Sequence, residues 1–143
     1  MQVIVIGAGL AGSEAALWLA DRGVQVTLYD QKPQKFSPAH KSAGFAELIC
    51  SNSLKAERPD SASGLLKLEM KAMGSHLLAA AETARVAAGG ALAVDRDVFS
   101  AAVTEMVESH PNIAVRREEV TALDESAPVL VASGPLTEGA LAQ

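Results

Sequence analysis

The 143-residue chain has little of several things, and each shortage excludes something. A single cysteine, Cys50, rules out an internal disulfide, and no grouping of Cys and His has the spacing of a metal centre, so no metal is expected. Aromatics are scarce (three Phe, one Tyr, one Trp), so the core must be aliphatic. No apolar run reaches the length of a membrane span. The apolar start has no basic n-region, so it does not read as a signal peptide, and a reducing cytoplasm is the expected setting. A net charge of −5 argues against a general nucleic-acid binder. The length suits about one domain.

What is present begins at once. Val3-Ile-Val-Ile6 runs into Gly7-Ala8-Gly9-Leu10-Ala11-Gly12, then a helix-like stretch, then Val26-Thr-Leu-Tyr-Asp30. Strand, glycine turn, helix and a second strand ending in an acid form the fingerprint of an adenine-dinucleotide site. Gly7 allows the tight turn out of the strand. At Gly9 the absence of a Cβ lets the backbone approach a pyrophosphate. Gly12 permits close helix–strand packing, with the free N–H groups and positive dipole end of the helix facing the phosphates. Asp30 is placed to accept hydrogen bonds from a ribose. The pattern fits FAD and NAD alike. Gly12, Ala16, Ala20 and Gly23 form a small-residue face, Glu14, Asp21 and Arg22 a polar one, and Gly23 closes the helix.

Beyond Asp30 the pattern becomes irregular as far as about residue 60, where only Phe45–Cys50 reads as a short ordered element. Connections of this length are usually functional or mobile. From 31 to 71 bases outnumber acids, against the balance of the whole chain; such a stretch is either a solvated face or a surface for anions. A helix is expected from Ser63, with Leu66, Met70 and Met73 toward the core and Gly74 as its stop. Another should cover Ser75–Glu82, with His76 at the surface or satisfied. The runs around Gly89-Gly90 suggest a hairpin. Asp95 can cap a helix whose apolar face is Val98, Phe99, Ala102, Val103, Met106 and Val107. Strands are expected at Ile113–Arg117, with Val120 as the furthest extent, and at Pro128–Gly134, the latter fully buried. Gly134 then falls where a doubly wound sheet places a second ligand-contacting turn.

Five blocks in this order carry a family resemblance: Gly7–Ala16, Phe45–Leu54, Gly64–Met70, Gly89–Arg96 and Ser133–Thr137. Together they resemble the bacterial folate- and FAD-dependent tRNA (uracil-5-)-methyltransferases, the TrmFO family. The related tRNA-modifying flavoprotein MnmG shares the glycine turn and is the alternative, as is a generic FAD- or NAD(P)-dependent oxidoreductase module. The resemblance implies a Rossmann-like α/β FAD-binding fold around a central parallel sheet, incomplete in this chain, which matches the family's N-terminal third. Residues 1–143 would then be part of the FAD-binding domain, without the folate and substrate domain, and inactive alone. The family usually has glutamate at Asp30 and arginine at Lys32; aspartate reaches a ribose with one methylene less.

The resemblance also implies chemistry. A one-carbon unit from 5,10-methylenetetrahydrofolate goes to C5 of a T-loop uridine in tRNA, with electrons from FAD that NAD(P)H has reduced. A thiolate adding at uracil C6 makes C5 nucleophilic, and a base removes the C5 proton. The target base must leave its folded loop. Cys50 is the matched thiol, as covalent partner or proton carrier beside the flavin. Read from composition, a lone cysteine after Leu48-Ile49 is a small buried hydrophobe. A functional thiol needs a lowered pKa, which Lys55 or a helix starting near Ser51 could supply. Ser51 and Asn52 are either hydrogen-bond donors to a ligand or a cap or turn. His40 is expected to be exposed in the loop. The cofactor contacts implied are Gly7 through Gly12, Asp30, Lys32 and Gly134, with tRNA held mainly by regions outside this chain.

Overall fold

The β-branched run after Met1 forms β1 (Gln2–Ile6), and Val3 through Ile6 are all buried, as befits a strand covered on both faces. Helix α1 (Leu10–Ala20) returns along it, burying Gly12, Ala16, Leu17 and Ala20. The helix ends where Gly23 takes a left-handed φ of +77°, with Gly23 N–H donating to Ala20 O and Val24 N–H to Leu19 O. Strand β2 (Gln25–Tyr29) then pairs parallel with β1. A computed structural model describes residues 1–142 of the chain.

Between β2 and its other neighbour lies a long crossover. It holds β3 (Ser53–Ala56), α2 (Ala62–Ala72), α3 (His76–Thr83), β4 (Arg85–Val86), β5 (Ala91–Val94) and α4 (Arg96–Ser109). β4 and β5 make the hairpin about Gly89-Gly90, and β3 joins to give an antiparallel sheet ordered β3-β5-β4. Ser61 and Ser75 cap α2 and α3, and the Asp95 side chain accepts from Asp97 and Val98 N–H at the start of α4. β6 (Ile113–Arg116) and β7 (Val129–Val131) complete the main sheet, and a 3₁₀ turn covers Gly139–Ala142.

The main sheet is all parallel and ordered β6-β2-β1-β7. Numbered by their order along the chain, its strands run 3-2-1-4, the Rossmann-like arrangement, and the order reverses between β1 and β7. Its α/β core joins both layers through Leu17, Leu28, Phe45, Leu92 and Phe99, each almost wholly buried. Side chains of this size contribute about 1.5–3 kcal/mol each on burial.

Several expectations need correction. Phe45–Cys50 is ordered, as expected, but without helix or strand; the strand of this stretch lies further on, at Ser53–Ala56. No helix begins near Ser51, whose Oγ instead accepts Ser53 N–H in a turn. Leu66 and Met73 are not core: they are 55% and 64% exposed, and Met70 alone of that trio packs against the core. The cause is Gly64, where a Cβ would lie 1.9 Å from Arg58 O, so the helix presses this backbone face inward. Lys67 follows it in, with Nζ donating to Ala56 O and Ser63 O. Burial pulls its ammonium below the ordinary lysine pKa. Val98 is exposed as well. β6 stops at Arg116, and β7, expected to be fully buried, is an edge strand with Leu130 and Val131 open on its faces.

Candidate functional site

At the carboxyl ends of β1, β2 and β7 a cleft of about 300 Å³ opens at the reversal of strand order. Gly7 leaves β1 with φ +101°; a Cβ there would lie 2.5 Å from Ala132 O, so only glycine lets the two strand exits approach this closely. At Gly12 a Cβ would lie 1.7 Å from Gly7 O, which seats α1 directly under the turn. Gly9 is different: its missing Cβ faces open space, with nothing within 4 Å. Gly9 also heads α1 without a side-chain cap, and among the described residues no acceptor meets the N–H groups of Gly9, Leu10 or Ala11. Free amides at the positive end of a helix dipole, beside open space, are an anion cradle.

Ala8 is engaged on both sides. Its N–H donates to Asp30 Oδ2 at 3.0 Å, and its carbonyl accepts Ser13 Oγ and Ala46 N–H. The other Asp30 oxygen accepts Lys32 N–H at 2.9 Å. The acid at the end of β2 therefore borders the cleft while bracing the turn. Lys32 borders it too, but its Nζ turns away, donating to Gly44 O at 2.6 Å and standing 3.6 Å from Glu47 Oε2. Gly134, with φ +82°, forms the opposite wall just past β7, next to Ser133 and Thr137, whose hydroxyls are bonded at 2.7 Å.

A second, apolar groove of about 1050 Å³ lies alongside, walled by Leu10, Trp18, Ile49, Leu66, Met70 and Leu130. Glu47 and Ile49 belong to both hollows. Cys50 is exposed on the rim of the groove rather than in the cleft, so the buried-hydrophobe reading of this thiol fails. Ser51 and Lys55 line the same groove. Asn52 contributes its carbonyl to Val94 N–H, tying the segment to β5.

Some cleft residues carry little signal in the sequence. His40 is half-buried, bonded through Nδ1 to Ser37 Oγ at 2.6 Å, and both line the cleft. Glu118, Glu119 and Glu138 stand at its mouth, where Glu119 raises the pKa of Lys35 through a 2.7 Å pair. Their only sequence signal was the irregularity of the segments that bear them. Among the described residues no cluster could hold a metal ion, and no helix is long and apolar enough to cross a membrane.

Sheet order, glycine turn and switch-point cleft define a Rossmann-like α/β protein. A family model described as glucose inhibited division protein A matches residues 2–140, and the chain belongs to that family. It is 56% identical over 141 residues to a Geobacter sulfurreducens protein named methylenetetrahydrofolate–tRNA-(uracil-5-)-methyltransferase TrmFO, covering 99% of this chain and 32% of that one. Proteins of the same name from Aquifex aeolicus and Anoxybacillus flavithermus are each 54% identical, over 99% and 100% of this chain and 32% and 33% of theirs. The chain thus spans about a third of the length of these relatives.

Proposed function

We propose that this chain is the FAD-binding portion of a folate- and FAD-dependent tRNA (uracil-5-)-methyltransferase. The observation that carries the reading is the open amide cradle of Gly9, Leu10 and Ala11 at the switch point of the sheet. The residues present fit the group: the missing Cβ of Gly9 leaves room for a diphosphate, and the free amides supply its donors. Gly7 through Gly12 would hold the diphosphate. Each Asp30 oxygen accepts one protein N–H and keeps a further lone pair for a ribose hydroxyl. Gly134 would close the far wall, and Lys32 would act by fixing the loop over Gly44 rather than by direct contact.

Bound FAD, reduced by NAD(P)H, would supply the electrons that turn a folate-borne one-carbon unit into a methyl group. Cys50 is the thiol this chain offers to the pyrimidine. As thiolate it adds to C6 of the extruded uridine, leaving C5 as the carbon of an enolate; C5 takes the one-carbon unit, a base removes the C5 proton as the folate nitrogen leaves, and a hydride equivalent reduces the resulting exocyclic methylene to methyl as the thiolate departs from C6. Its exposure beside the shared wall of Glu47 and Ile49 supports that role. Turnover, tRNA and folate binding belong to the whole enzyme, and this chain alone would hold the nucleotide without completing a cycle.

Titration of FAD into this chain and into a full-length relative tests the reading. Saturable binding to both, weaker to the chain, is expected, and Cys50→Ala in the relative should retain FAD while losing methylation. A chain indifferent to FAD removes the nucleotide assignment; full methylation by the Cys50 variant removes the thiol's role.

A further inference from the structure

The segment carrying Cys50 has no regular secondary structure, yet its first residues, Phe45 and Ala46, are fully buried. Three parts of the fold, all distant in sequence, hold it. From α4, Thr104 Oγ1 accepts Phe45 N–H at 2.9 Å, and Ser100 Oγ donates to Phe45 O at 2.6 Å. From the glycine turn, Ala8 O accepts Ala46 N–H at 2.9 Å, with Ala46 in the left-handed region at φ +49°. From the end of β6, the Arg117 guanidinium lies 4.0 Å over the Phe45 ring and donates to Ala43 O at 2.7 Å.

Arg117 does more than touch one neighbour. Its Nη1 also reaches Lys32 O at 3.5 Å, and Nη2 pairs with Glu108 of α4 at 2.8 Å. One planar group thus joins the exit of β2, the segment over residues 43–45 and the flank of α4. A lysine could keep the charge but could not stack and fork at once.

We propose that Arg117 is a positioning residue: acting through Phe45, it sets where the Cys50 segment stands against the glycine turn, and the Ala46–Ala8 bond transmits occupation of that turn to the segment. The second half rests on the dinucleotide reading given above; the first half does not. Arg117 touches neither cleft amide nor thiol, so its effect is on placement.

Cys50 is the sole cysteine, so a nitroxide attached there reports on one position. The experiment measures nitroxide mobility by EPR and exchange of the Ala46 amide by NMR, in the wild-type chain and in Arg117→Met, Arg117→Lys and Arg116→Ala, with and without FAD. Thermal midpoints are taken alongside. Without FAD, Arg117→Met should speed Ala46 exchange by about three- to tenfold, the effect of losing one typical hydrogen bond on local opening, and mobilise the label. Arg117→Lys should fall between, Arg116→Ala should match wild type, and the midpoints should stay close together. FAD should slow Ala46 exchange in wild type and do so less in Arg117→Met.

Wild-type exchange and mobility in Arg117→Met overturn the proposal. Should that variant fail to fold, Arg117→Lys, which keeps the charge but cannot stack and fork at once, is read in its place, and wild-type exchange there overturns the proposal. Loosening without any response to FAD supports the positioning role and counts against the dinucleotide reading. FAD binding with Ala46 exchange unchanged overturns the transmission.

Discussion

Asp30 and Ala8 are joined across the mouth of the sheet: the carboxylate at the end of β2 accepts the Ala8 amide of the glycine turn at 3.0 Å. The acid is therefore a brace for the turn whatever else it binds. Asp30→Ala leaves the buried Ala8 N–H without its acceptor, which costs about 1–3 kcal/mol. Chemical denaturation should register that loss, and FAD affinity should fall with it. An unchanged unfolding midpoint would mean that the bond contributes nothing.

Gly9 and Gly12 should separate ligand binding from folding. Alanine at Gly9 meets no protein atom within 4 Å and keeps an ordinary backbone conformation, so the fold should tolerate it while the methyl group intrudes on the diphosphate. Alanine at Gly12 collides with the Gly7 carbonyl and should prevent α1 from seating. Thermal melts and FAD titrations of both variants check this: Gly9→Ala should melt like wild type and bind poorly, whereas Gly12→Ala should melt far lower.

Acid sensitivity should have a definite sign. Asp21 lies between His110 Nε2 at 3.2 Å and His76 Nε2 at 2.9 Å, and its hydrogen bond to His110 is the main cause of a pKa below the ordinary value. Glu57 and Glu82 are lowered too, Glu57 by its hydrogen bond to Arg85 and Glu82 by those to Lys71 and Arg85. Their folded-state pKa values are depressed, so their contribution is present above the unfolded values and lost as pH falls through the depressed ones. Stability followed by urea melts should drop below about pH 4 in wild type, and the drop should be shallower in Asp21→Asn. Equal slopes would contradict the assignment.

The two apolar groups of the crossover should behave oppositely. Phe45 is fully buried, and Phe45→Ala should cost about 3–5 kcal/mol. Met73, 64% exposed on α2, should accept alanine within about 0.5 kcal/mol. Denaturation midpoints of the two variants read the difference directly, and a large loss at Met73 would place α2 in the core after all.

These contrasts mark where sequence reasoning succeeds. The β1–α1–β2 unit was legible because its signals are local: a β-branched strand, glycines at a turn and a closing Gly23. Gly134 followed from the same logic, since an apolar strand ending in glycine repeats the exit of β1. The facing of α2 was not legible, because Leu66, Met70 and Met73 satisfy helical periodicity whichever side turns inward, and the deciding contact is Gly64 against Arg58 O. That Phe45–Cys50 is ordered was legible, but what orders it was not. Its order comes from Ser100, Thr104 and Arg117, more than fifty residues away along the chain, and no local pattern announces such bonds.

The most direct test is to follow the backbone amides of Gly9, Leu10 and Ala11 by NMR while FAD is added to the chain. Large saturable shifts at these three amides, repeated by ADP alone and lost in Gly9→Ala, are the expected result. FAD binding that leaves the three amides unmoved, or survives Gly9→Ala at full strength, would contradict it.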